Sequence, residues 1–133
     1  MKSKVISVTA LLVLLLCWSC SFHNIDEDVK LDLCDANNTA VVSFQDTIFP
    51  IFTKYCSNNA NGDCHWTGAP TAKPDYTTYA GIKAKVDQGR IQARLFDRSP
   101  TPMPPSFSSG PRDVSDCDKA LITRWIAAGA PNN

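Results

Sequence analysis

The sequence predicts a small all-α domain of about four helical pieces joined by long loops. Two observations carry that expectation. Apolar residues recur at helical spacing in Phe44, Ile48, Ile51, Phe52 and Tyr55, and again in Leu121, Ile122, Trp125 and Ile126, which is the stripe an amphipathic helix buries. The chain has no stretch of strict apolar–polar alternation and no internal repeat, so nothing argues for strands or a solenoid.

The 133 residues suit one domain with accessory segments. Lys2 and Lys4 precede an apolar run from Val5 to Leu16, too short for a membrane span but suited to an export signal. The run ends in Cys17-Trp-Ser-Cys20, which resembles a bacterial lipoprotein cleavage site, with Cys17 where a leucine is usual. Residues 1–19 are therefore expected to be removed and Cys20 acylated, which places the mature protein on a membrane facing the periplasm, or on the outer membrane and cell surface. Several acyl chains hold firmly where one chain binds only marginally. Ordinary secretion and an uncleaved anchor are the alternatives.

Without residues 1–19 the chain keeps 11 basic and 13 acidic residues, a formal charge of −2. No basic stripe is present, which argues against a nucleic-acid partner. Residues 20–40 read as a polar tether, and its run Asp26-Glu27-Asp28 is a solvated segment that also resembles the acidic export signal of some surface lipoproteins.

The domain proper is expected over residues 41–133. Ser43 and Asp46 form a capping pair for the first helix. Pro50 cannot donate to the preceding turn, so the regular helix begins nearer Asp46 and runs into Cys56. Residues 57–63, Ser-Asn-Asn-Ala-Asn-Gly-Asp, are a turn-rich insertion. They resemble part of a calcium loop, but Gly68 stands where the bidentate glutamate belongs. Tyr76 to Val86 reads as a short helix capped by Thr77 or Thr78 and ended by Gly89. Ile91 to Phe96 adds a helical turn or two, with Ile91, Leu95 and Phe96 inward. Five prolines make residues 99–112 a loop. The last helix starts near Ser115, pairs it with Asp118, and stops at Gly129.

The chemistry is concentrated in Cys56 and Cys64-His65. Two thiols followed by an adjacent histidine are the pattern that attaches a haem: the thiols add to its vinyl groups and the imidazole reaches the iron. The usual form is C-x-x-C-H, whereas seven residues separate the cysteines here. A second axial ligand is commonly Met or His. Apart from Met1 the chain has one methionine, Met103, in a proline-fixed Thr-Pro-Met-Pro-Pro run, and its other histidine, His23, lies far upstream. His65 and Met103 are thus the expected ligands. If haem takes Cys56 and Cys64, the cysteines left in an oxidising compartment are Cys34 and Cys117. A disulfide between them would close the domain's two ends and contribute about 4–5 kcal/mol in the chain-entropy model; two buried thiols are the alternative. Four helical pieces also leave a thin core for some 95 residues, a gap that a buried haem would fill.

Taken together, Ile48–Phe52 leading to Cys56, Cys64-His65, the Tyr79–Arg90 segment with Gly89-Arg90-Ile91, Met103-Pro-Pro105 and the closing Trp125–Asn133 resemble a class I cytochrome c domain. The likeness covers residues 41–133 and is to the small haem domains of exported lipoproteins of Bacteroidetes and planctomycete type. It implies a cytochrome c-like fold around one covalent haem c, thioether bonds at Cys56 and Cys64, and iron ligated by His65 and Met103. It also implies that the first and last helices cross near a haem edge, with Phe52 and Trp125 as the expected contact. Arg90 and Arg94 suit the haem propionates. With both axial positions filled by protein, the implied role is electron transfer with other redox proteins, not enzymatic turnover of a substrate.

Two other readings of the same residues compete. Cys56, Cys64 and His65 with Cys34 or Cys117 could hold a structural zinc. Alternatively, Cys56 and Cys64 could join in a disulfide that stabilises a haem-free binding or scaffold domain.

Overall fold

The computed structural model describes residues 32–35, 37–57, 64–68, 73–108 and 110–133. The expected export signal, the acylated Cys20, the acidic run and most of the insertion between Cys56 and Cys64, with its calcium-loop likeness, lie outside the described residues. The compact unit is Leu31–Asn133. Among the described residues it is helical without a strand, as the sequence predicts.

Ser43 opens the first element. Its hydroxyl accepts from the Asp46 amide at 3.1 Å and donates to the Asp46 carboxylate at 3.0 Å, so the expected capping pair forms. The chain then makes a π turn, Phe44–Ile48, and passes into α1, Phe49–Tyr55. The wider turn has a local cause. Pro50 has no amide hydrogen for the Asp46 carbonyl, and its ring crowds that carbonyl; the Phe49 amide instead reaches back to the Phe44 carbonyl. Pro50 thereby falls in the first turn of α1, where a proline costs nothing.

α2 spans Tyr79–Asp87, with Thr78 as its cap accepting from the Gly81 amide at 3.1 Å. The spacing predicts a start at Tyr76, but residues 74–78 form an extended strap instead. The Asp75 carboxylate takes the Thr77 amide at 2.8 Å and so holds the strap out of the helix. Gly89, at φ +66°, turns the chain after α2. A second π turn, Gln92–Phe96, buries Ile91 and Leu95 and half-buries Phe96 against the core.

α3, Asp116–Ala127, is capped by the Ser115 hydroxyl, which accepts from the Asp118 amide. Its C-terminus closes in a Schellman motif. The Ala130 amide returns to the Trp125 carbonyl and the Gly129 amide to that of Ile126, both at 2.9 Å, with Gly129 at φ +89°.

α3 carries the centre of the core in fully buried Leu121, Ile122 and Trp125. Here the structure corrects the expected Phe52–Trp125 contact. Trp125 stacks on Phe44 at 5.7 Å, and Phe44 meets Tyr79 edge-on at 5.0 Å. Phe52, about two turns further along, meets Tyr76 edge-on at 5.5 Å. The π turn presents Phe44 to Trp125, while Phe52 lies beside Ile122 of α3. The terminal Asn133 folds back on the same turn, its side-chain carbonyl accepting from Phe44 at 2.8 Å and its backbone carbonyl from Gln45 at 3.1 Å. Two helix-start amides that lack intrahelical partners are thereby satisfied.

The ends of the domain are tied at α3. Cys34 and Cys117 form a disulfide with Cα atoms 5.2 Å apart across 83 residues. Arg124 adds two bonds, to the carbonyls of Leu33 at 2.5 Å and Ala40 at 2.6 Å. Residues 33–40 are thus seated on the last helix rather than hanging from it.

Candidate cofactor site

At the end of α1 the Cys56 amide closes the final turn on the Phe52 carbonyl at 2.8 Å, and the Cys56 carbonyl accepts from the His65 amide at 2.9 Å. That one bond returns Cys64-His65 to the helix end despite the intervening residues. Cys56 and Cys64 are both unpaired thiols and both line one cavity of about 440 Å³. His65 and Met103 line the same cavity, together with Phe52, Tyr55, Tyr76, Ile91 and Leu95.

His65 is oriented by two contacts. Its Nδ1 lies 3.0 Å from the Pro74 carbonyl. A carbonyl only accepts, so Nδ1 carries the proton and Nε2 keeps its lone pair. The imidazole also lies against the Tyr76 ring at 4.4 Å with a 34° tilt, while the Tyr76 amide donates to the His65 carbonyl at 3.2 Å. Burial is the main force lowering the His65 pKa below the usual 6.5, partly offset by the Pro74 carbonyl. The ring is therefore neutral at pH 7, the form that binds a metal.

The strap that supplies Pro74 and Tyr76 is itself locked. Thr67 and Thr77 hydroxyls meet at 2.8 Å, and the Asp75 carboxylate accepts from Thr67 at 3.1 Å and from the Thr77 hydroxyl at 2.6 Å. These hydroxyls and the Thr77 amide hold the Asp75 carboxyl below its usual pKa. The strap also lies hard against α2, where a Cβ at Gly81 would sit 1.7 Å from the Asp75 carbonyl oxygen. Only glycine permits that approach.

The proline-rich loop forms another part of the lining. Met103 is partly buried, and its amide donates to the Arg94 carbonyl at 3.0 Å. Arg90 and Arg94, the two residues expected at propionates, both line the cavity with Lys73 and Lys85, and no acidic side chain lines it among the described residues. The Arg94 guanidinium also donates to the Thr101 carbonyl at 3.2 Å.

Burial, with the neighbouring Cys64 second, pushes the Cys56 pKa up to about 12. Cys56 is thus held as a neutral thiol at pH 7. Burial likewise raises the Tyr76 hydroxyl well above its ordinary value.

Each sequence-predicted cavity residue, Cys56, Cys64, His65, Met103, Arg90 and Arg94, lies on the one cavity. Pro74, Asp75, Tyr76 and Gly81 were not legible as site residues. Their part depends on a strap folding across the sequence onto His65, and only the Pro74-Asp-Tyr76 break before a capping threonine hints at it.

Comparison with family models, with curated proteins and with solved structures found no match.

Proposed function

We propose that this chain is an electron carrier with one covalent c-type haem, held by Cys56 and Cys64 and ligated by His65 and Met103. The observation that carries this reading is that one mostly apolar cavity gathers both thiols, the imidazole with its Nε2 lone pair available, and the chain's one thioether beyond Met1. The residues fit the group in kind as well as in place. At about 440 Å³ the cavity is within the range of cofactor pockets. Aromatic and aliphatic side chains line it, and its cations suit two carboxylates.

When bound, haem supplies a one-electron Fe(III)/Fe(II) couple. The chain's own residues do the rest. Cys56 and Cys64 would hold the group through thioether bonds, each formed by adding S–H across a vinyl double bond with no oxidant or reductant consumed. Pro74 fixes the His65 tautomer and strengthens its nitrogen as a donor. Met103 offers a neutral thioether, which favours the reduced state relative to harder ligands. Phe52, Ile91 and Leu95 exclude water from the site. With His65 and Met103 both ligating, the group would leave no site for a substrate, and the role would be outer-sphere electron exchange with redox partners. Export and acylation at Cys20, in the periplasm or at the cell surface, complete the proposal.

Zinc fits less well. Cys34 and Cys117, the candidates for a fourth ligand, are joined to each other on α3. Among the described residues no three His, Cys, Asp or Glu side chains converge on a common point. The thiol state of Cys56 and Cys64 likewise gives the haem-free disulfide scaffold no support.

The test is a potentiometric titration of the purified mature chain, produced with c-type haem maturation machinery. A one-electron wave with the absorption of low-spin haem is expected, and Met103→Ala should lower its midpoint. A haem protein whose spectrum and midpoint ignore Met103→Ala would remove the distal ligand from this account.

A further inference from the structure

The second π turn and the methionine loop meet at one residue. In the Gln92–Phe96 turn the Asp97 amide reaches back to Gln92 at 3.1 Å and the Ser99 amide to Ala93 at 2.9 Å. Arg98, at φ +55°, then turns the chain away. The next carbonyl in that series, Arg94, receives no donor from the helix that would have continued. It takes the Met103 amide at 3.0 Å instead. The guanidinium of the same residue donates to the Thr101 carbonyl at 3.2 Å. One residue thus grips Thr101-Pro102-Met103 twice, by its backbone at Met103 and by its side chain two residues earlier. Between the two grips, Pro102 allows little backbone freedom.

We propose that Arg94 is the positioning residue of Met103, clamping the methionine loop to the Gln92–Phe96 turn so that the thioether stays at the cavity. This rests on the reading of Met103 as the distal ligand, and it gives Arg94 a different part from Arg90. Both arginines line the cavity, and Arg94 is the one bonded to the loop. The planar fork of Arg suits the role because it keeps further donors for the cavity while one bonds Thr101.

The test compares Arg94→Ala, Arg94→Lys and Arg90→Ala in the mature haem-loaded chain by two readouts. The first is hydrogen exchange at the Met103 amide followed by NMR. The second is the pH at which the sulfur-to-iron charge-transfer band is lost. Losing a hydrogen bond to a charged donor should speed Met103 exchange about tenfold in Arg94→Ala, and lower the pH midpoint by about one unit. Arg94→Lys, which keeps the charge but not the fork, should fall between wild type and Arg94→Ala. Arg90→Ala removes the same charge from the same cavity and should leave Met103 exchange as it is. Equal acceleration in both alanine variants, or none in Arg94→Ala, overturns the clamp. If haem never attaches, the band is absent from every variant; that result refutes the haem reading, while amide exchange still decides the clamp.

Discussion

The two walls of the cavity are built differently. The His65 wall is tied by the Cys56–His65 backbone bond, the Pro74 carbonyl, the Tyr76 ring, the Asp75–Thr67–Thr77 network and the close approach at Gly81. The Met103 wall is a proline-rich loop that Arg94 grips at Thr101 and Met103. The first arrangement allows one position for the imidazole. The second holds the thioether's loop by fewer bonds, and local opening follows the weaker set of contacts. If the cavity holds haem as proposed, His65 would be the permanent ligand and Met103 the exchangeable one.

The largest expected effect breaks the first wall outright. His65→Ala should abolish haem attachment or leave a high-spin iron, read from the absorption spectrum of the purified chain. Close behind is Gly81→Ala. Its methyl meets backbone that cannot yield like a flexible side chain, so it should destabilise the fold by about 3 kcal/mol or more. Gly89→Ala is the matched control: its φ is +66° with no atom within 4 Å of the added carbon, so only the left-handed penalty of about 1–2 kcal/mol applies. Urea unfolding of both variants checks the difference, and equal losses would show that the strap does not press on α2.

A smaller effect comes from pH. The folded pKa of His65 lies below the usual 6.5, so as pH falls the unfolded chain takes up its proton first. In the haem-free protein this group's contribution is intact above pH 6.5 and is lost as pH drops from there through the folded value. Asp75 adds a loss in the same direction at lower pH, through its own depressed pKa. Tyr76→Ala opens the imidazole to water and should move the His65 pKa back toward 6.5, measured by NMR titration of the ring protons. An unchanged titration would mean that Tyr76 does not shield it.

The smallest effect concerns the thiol. With its pKa pushed up to about 12, Cys56 in the haem-free chain should alkylate slowly at pH 7 and faster by about tenfold per pH unit up to that value. Rapid labelling of Cys56 at neutral pH would contradict a thiol pKa raised that far.

What was legible in the sequence was local or chemically unambiguous. Ser43 with Asp46, Ser115 with Asp118, and the glycine stops at 89 and 129 announce their structure through side-chain hydrogen bonds or φ alone. The Cys34–Cys117 pairing followed from the expected export and from setting Cys56 and Cys64 aside for haem. The misplaced parts depend on register and on distance in sequence. The π turn before Pro50 rotates Phe44 toward Trp125 and leaves Phe52 to the cavity, a shift that apolar spacing at 3.6 residues cannot reveal. Tyr76 fits a helical pattern by period. It stays out because Asp75 binds Thr77, and because His65, eleven positions earlier, receives its ring.

The central claim is that this cavity holds haem through both Cys56 and Cys64. The most direct measurement is the intact mass of the denatured, reduced mature chain, from cells in which a standard cytochrome matures normally, alongside Cys56→Ala and Cys64→Ala. The account predicts one haem added to the wild-type mass and a loss of that stable attachment when either thiol is removed. An apo mass for the wild type, beside a fully matured control cytochrome, would contradict it.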